Sequence, residues 1–282
     1  MSSELTGSMT MEAAVLPGTP RFVIEQYKTL AERARERVFG IIEEDVIILD
    51  TETTGLSVRD NELIEISAAV LTQQGITERF DTFVHPTGPI PDEIIKLTGI
   101  RNADVIHAPS AREAVEALAE FVAGRPVVAH NATFDRSFIE AVKGGVNVSD
   151  IWIDSLALSR IALPRLASHK LSSMAELFGC AAVSHRATDD VDALAGMWRI
   201  LLTALTDLPA GLLRLLADTH PDVAWSYRPV FSFLAQNMTD EPFSLRAARA
   251  RVLEDEPGEE RFDSDDACCA RHAKRPSHRG ML

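Results

Sequence analysis

Apolar and polar positions follow two periods along this chain, and the changes of period mark its elements. Residues 46–49, Val-Ile-Ile-Leu, are a short apolar run rich in β-branched side chains. That pattern fits a strand buried on both faces. Upstream, Phe22, Val23, Tyr27, Leu30, Ala34 and Val38 fall at helical spacing between charges, and Gly40 follows as a stop. This helix, over residues 21–40, either packs on the core or binds a partner.

Residues 63–70 and 76–84 read as further strands, with Gln73-Gln74-Gly75 as the turn between them. Connections this short predict an antiparallel meander. A short helix over 91–97 starts at Pro91, and Ser110 with Glu113 forms a capping box for a helix over 110–122. Residues 126–130 then form a strand reached by a helical crossover, and so parallel to the first. Helices follow over 133–142, from Ser155, over 171–178 and over 189–205, with a short strand at Trp152-Ile153. The pattern predicts an α/β domain, a mixed five-stranded sheet flanked by helices, over residues 45–206. A helical extension is expected over 207–253, with Trp225 and Tyr227 suggesting some packing. Disorder is expected over 1–20 and over the charged tail, 254–282.

Composition adds bounds. At 282 residues, 46% hydrophobic and 25% charged, the chain can bury a substantial core. No apolar run approaches the roughly 18 residues of a membrane span. No basic-then-apolar segment suggests a secretory signal. Cys180, Cys268 and Cys269 supply neither a disulfide framework nor a metal-ligand spacing. A cytoplasmic protein without a membrane partner is expected. The net charge of −14 argues against a strongly basic nucleic-acid wrapper. Part of it is local, however, because residues 254–266 hold eight acids and one arginine, while the last sixteen residues carry four basic groups.

The candidate chemistry starts where the first strand ends, at Asp50-Thr51-Glu52-Thr53-Thr54-Gly55. Alternation puts Asp50 and Glu52 on one side of the strand. Two carboxylates so placed repel unless a cation lies between them, and hard divalent ions take such oxygen ligands. Taken alone, the motif also fits an Asp ending a strand and a Glu facing water. The strand at 126–130 runs into His130-Asn131-Ala132-Thr133-Phe134-Asp135, which puts Asp135 on a helix's first turn. In a parallel pair the carboxyl ends lie side by side, where open α/β sheets bind ligands. Asp135 equally suits a helix start through the helix dipole. His185 precedes Asp189 and Asp190, which lie in the first turn of the last long helix. A loop histidine alone is more often a surface residue, and Thr188 or Asp189 also suits a plain N-cap.

Together, D-x-E, H-N-x-x-F-D and H-x-A-x-x-D, in that order, are far more specific than any one part. Asp50, Glu52, Asp135, His185 and Asp190 resemble the five-residue signature of the DEDD-type 3′-5′ exonucleases of the histidine subtype. Members include the proofreading epsilon subunit of DNA polymerase III, the exonuclease domain of polymerase C, ribonuclease T and oligoribonuclease. Val84-His85-Pro86, Leu97-Thr98-Gly99-Ile100 and His169-Lys170-Leu171-Ser172 are secondary matches. The resemblance implies a ribonuclease H-like fold and a metal-dependent 3′-5′ exonuclease that releases nucleoside monophosphates, with a role in replication proofreading or repair. It implies two divalent ions, Mg²⁺ or Mn²⁺, held by Asp50, Glu52, Asp135 and Asp190, with His185 as general base. Thr53, Leu56, His130, Asn131 and Phe134 would bind the terminal nucleotide, although core packing suits Phe134 better. The implied partners are nucleic acid with a 3′ end, single-stranded DNA favoured, and a polymerase or repair complex. An RNA 3′-end exonuclease and a non-catalytic nucleic-acid- or partner-binding module on the same fold are the alternatives.

Overall fold

The structure, a computed structural model, describes residues 9–36, 45–142, 147–219, 221–223 and 225–236. The chain divides into two units, 1–241 and 242–282. The second lies outside the described residues, and with it the expected disorder of the charged tail.

Five strands form a mixed sheet: β1 (Val46–Thr53), β2 (Leu63–Thr72), β3 (Gly75–Phe83), β4 (Val127–Ala129) and β5 (Trp152–Asp154). Their order is β3-β2-β1-β4-β5. The first three are an antiparallel meander, while β4 is parallel to β1 and β5 to β4. Both pairings expected from connection length are present, since only a two-residue turn joins β2 to β3 whereas helices precede β4.

Eleven helices occur among the described residues: α1 (Met11–Ala14), α2 (Arg21–Glu36), α3 (Asp92–Thr98), α4 (Asn102–Val105), α5 (Ala111–Val122), α6 (Ala132–Glu140), α7 (Ser155–Ala162), α8 (Leu171–Phe178), α9 (Ala187–Leu205), α10 (Ala210–Asp218) and α11 (Arg228–Gln236). The predicted capping box of α5 forms, with Ser110 and Glu113 each bonding the other's backbone N–H. Pro91 is the N-cap of α3 and not its first helical residue.

Strand alternation divides the core. Val46 and Ile48 of β1 join Ala69 and Leu71 of β2 under α2, α7, α8 and α9, in the larger apolar cluster. Ile47 and Leu49 face the other way, against α5 and α6. The α9 helix packs directly on β1 and β2. That contact later sets the site. No single described helix is long and apolar enough to cross a membrane.

Two boundaries differ from expectation. Residues 9–20 are placed against the domain: Met11, Ala14 and Val15 are buried, and Val15 bridges Leu166. Three apolar contacts in a polar stretch have no local signature, and the bridge partner of Val15 lies 151 residues away in sequence. At the other end the core continues past residue 206, since Leu213, Val230, Phe231 and Leu234 belong to the larger cluster. Trp225 stacks on Phe231, with ring centroids 5.3 Å apart.

The α2 helix buries Tyr27, Leu30 and Ala34 in this cluster, so it is a packing element. Leu30→Ala is expected to cost about 2–5 kcal/mol through the cavity it leaves. At about 2–4 °C per kcal/mol for a domain of this size, the melting temperature should fall by roughly 4–20 °C. An unchanged melting temperature would mean that the helix contributes nothing to this core.

Candidate metal and active site

The site forms at the carboxyl end of β1 by strand parity. Asp50 and Glu52 continue the face of Val46 and Ile48, which is the side covered by α9. Thr51 points to the opposite face. There it meets α6, and its hydroxyl donates a 2.8 Å hydrogen bond to the buried Asp135 carboxylate. Asp135 therefore joins the other acids around the strand end, from the far side of the sheet. Asn131, in the left-handed region at φ 70°, caps α6 and turns the chain out of β4.

From the α9 side, Asp190 is buried in the helix's first turn. Glu52, His185 and Asp190 offer ligand atoms that all lie within 4.8 Å of one another. The N-cap of α9 is Arg186, not Thr188 or Asp189, since the helix begins two residues earlier than its apolar pattern suggests. His185 precedes this cap, exposed, at φ 59°.

The electrostatics suit a cation. Burial, and then the charges of Asp135, Asp190, Glu52 and Glu65, push the Asp50 carboxyl well above the usual carboxylate range. Glu52 is pushed up to about 8, first by burial and then by Asp190 and its other acidic neighbours, with Arg186 acting against them. Burial raises Asp135 to about 7 against its hydrogen bond from Thr51. Asp190 is also raised by burial, opposed by the Ser184 N–H that donates to it at 3.1 Å. A concentrated set of oxygen donors that is hard to ionise without a positive charge fits hard divalent metal ions.

This has a measurable consequence. The folded protein keeps protons on Glu52 and Asp135 that the unfolded chain releases near pH 4. Between about pH 4 and 8 the native state thus binds more protons than the unfolded state, and stability falls as pH rises. The chelated protein should melt at a lower temperature at pH 8.5 than at pH 6. Added Mg²⁺ should raise the melting temperature more at pH 8.5. A metal effect that is equal at both pH values would show that these carboxyls do not share a cation site.

The residues expected to meet a nucleotide divide by environment. His130 and His185 line a cavity of about 650 Å³ together with Asp50 and Asp190. The His130 ring spans Ser155 Oγ at 2.9 Å and the His169 carbonyl at 3.0 Å, and burial lowers its pKa. Leu56 stands 88% exposed in the bend after β1 and does not line this cavity. Thr53 is buried, and its hydroxyl donates to the Gly55 carbonyl at 2.7 Å. The exposed Asn131 is tied through its backbone N–H to Asp154 at 2.9 Å. Phe134 packs on Phe138 at 5.0 Å, alongside the smaller sheet-face cluster.

Other residues also line the site: Arg160 and Ser168 carried no signal in the pattern, whereas His169 and Lys170 belong to a stretch already matched in the sequence. Arg160 and Lys170 bring positive charge to the same cavity, with Ser168 and His169 between them. Glu65, buried on β2 directly opposite Glu52, is another acid of the site. Its only advance signal was a charge inside the otherwise apolar run 63–70.

Buried carboxylates at the end of a mixed five-stranded sheet, with an exposed histidine close to two of them, form a candidate metal site of the kind that the sequence motifs implied. Residues 47–197, over half of the chain, match the sequence family described as Exonuclease. The chain belongs to this exonuclease family. A PolC-type DNA polymerase III from Caldanaerobacter subterraneus subsp. tengcongensis is 39% identical over 170 residues, covering 59% of this chain and 12% of that polymerase. The DNA polymerase III subunit epsilon of Treponema pallidum is 34% identical over 147 residues, covering 50% of this chain and 68% of that subunit. The fold is shared with a 3′-exonuclease solved in a study of 3′-end recognition of a histone mRNA stem-loop. That likeness has a TM-score of 0.50 at 19% identity, over 64% of this chain and 72% of that one.

Proposed function

We propose that this protein is a metal-dependent 3′-5′ exonuclease that removes nucleoside monophosphates from the 3′ end of DNA. The observation that carries the reading is the meeting of Glu52, His185 and Asp190 within 4.8 Å at the end of β1, inside the region that matches the family. In this reading Asp50 would contribute to holding both of two divalent cations. Glu52 and Asp190 would hold one of them and Asp135 would support the other. When bound, two divalent cations, of which Mg²⁺ is the expected pair, supply Lewis acidity for an in-line displacement at phosphorus.

His185 takes a proton from the attacking water. As the water oxygen bonds to phosphorus, the bond to the 3′-oxygen of the preceding nucleotide breaks and a nucleoside monophosphate leaves. Arg160 and Lys170 offset the negative charge of the acids, so the cavity can admit a polyanionic strand. His130, which lines the cavity, and Leu56 and Asn131, outside its lining, are the residues proposed to meet the terminal nucleotide. Single-stranded DNA is the favoured substrate and a replicative polymerase or repair complex the favoured partner, in keeping with the polymerase III relatives. A role in replication proofreading or repair, in the cytoplasm, is part of the same proposal.

The test is digestion of 5′-end-labelled single-stranded DNA, duplex DNA and RNA of one sequence, each with Mg²⁺, Mn²⁺ or chelator. Stepwise shortening from the 3′ end, fastest on single-stranded DNA and abolished by chelator, is expected. Faster digestion of RNA would reassign the substrate. Binding without hydrolysis in either metal would make the domain a nucleic-acid-binding module.

A further inference from the structure

Among the described residues, the imidazole of His185 makes no hydrogen bond, and its side chain is exposed. Beyond the attraction of the Asp190 charge, its aim is set through the backbone. That backbone sits at φ 59°, a left-handed region uncommon for residues other than glycine, though histidine enters it more readily than most. The contacts that hold it lie on either side. Before it, the Ser184 N–H donates to Asp190 at 3.1 Å, and the Ser184 hydroxyl donates to Asp189 at 2.5 Å.

After it the hold is stronger. Arg186 grips the buried Glu65 with two prongs, Nη2 to Oε1 at 2.8 Å and Nε to Oε2 at 3.2 Å. The Ala187 N–H donates to the same Oε2 at 2.9 Å. The guanidinium also lies over the Phe83 ring, 5.4 Å from its centre. One carboxylate on β2 thus anchors two consecutive residues at the start of α9, immediately after His185. Glu65 is in turn paired in register with Glu52, the acid nearest His185 on β1. The anchor and the chemistry are therefore referenced to one pair of strand positions. A planar, two-pronged pair fixes direction as well as distance, which a lysine in place of the arginine would not do.

We propose that Arg186, gripped by Glu65, is a positioning residue that aims His185 at Glu52 and Asp190. This rests on the assignment of His185 as the general base. A pair that only stabilised the packing of α9 on the sheet would lower the melting temperature and leave turnover of the folded protein unchanged.

The test is a double-mutant cycle on full-length protein, with kcat and KM on single-stranded DNA measured well below each variant's melting temperature. R186Q is expected to lower kcat by about 10²-fold, the scale of a misplaced catalytic group, with KM within a few-fold. R186K, which keeps the charge, should lose less and serves where R186Q folds poorly. In an H185A background R186Q should cost no more than a few-fold further, because the group it aims is gone. In metal-free protein, the His185 ring resonance, assigned by its absence in H185A, should shift toward that of a solvent-mobile histidine in R186Q.

Losses that multiply in the double variant, or an unchanged kcat in folded R186Q, would overturn the positioning role. An H185A protein with wild-type turnover would instead overturn the assignment of the base. The two failures are distinguishable, because only the second leaves the H185A single variant active.

Discussion

Asp50→Asn is expected to reduce hydrolysis to the assay background while the protein stays folded. Asp50 is the acid whose neighbours come from every side: Glu52 on its own strand, Asp135 from α6, Asp190 from α9 and Glu65 from β2 all raise its pKa. An amide keeps the shape but removes the negative charge that two cations would share, so both are lost together. The same change relieves the repulsion that opposes the native state without metal. The chelated Asp50→Asn protein should accordingly melt higher than chelated wild type at pH 8.5, and its response to Mg²⁺ should be much smaller. Activity and stability then move in opposite directions, which damage to the fold would not produce. Undiminished digestion of single-stranded DNA by Asp50→Asn would remove the basis of the proposed function.

His185→Ala should lower turnover by on the order of 10²–10⁴, the range for a group that moves a proton in the transition state. Because His185 is exposed and lies outside the core clusters, the melting temperature should change little. His185 also lies within reach of the atoms of Glu52 and Asp190, so it needs separating from a ligand role. The midpoint of a Mg²⁺ titration, read from the melting temperature, distinguishes the two. A base leaves the midpoint near that of wild type, since the acids hold the ions. A midpoint displaced by an order of magnitude would make the histidine a ligand. Turnover within a few-fold of wild type would make it a loop residue only.

Much of this was legible in the sequence, for reasons that differ from one part to another. The strand at residues 46–49 and its alternation already put Asp50 and Glu52 on one side, because side-chain direction along a strand is a local property. The helical crossover before residue 127 dictated a parallel neighbour, and with it the approach of Asp135. The order of the three motifs identified the family before any coordinates. What tertiary structure decided is everything that depends on which faces meet. The position of α9 on β1 and β2 brings Asp190 and His185 to the face of Glu52, while Asp135 arrives across the sheet through Thr51. The register of β1 and β2 sets Glu65 opposite Glu52, and the fold then turns Arg186 onto it. Val15 against Leu166, and Phe231 within the main cluster, extend the core beyond the limits that local pattern suggested. A period of two or 3.6 residues reports which side of its own element a residue occupies. It carries no information about the element that covers that side, because the contact is made between segments far apart in the chain.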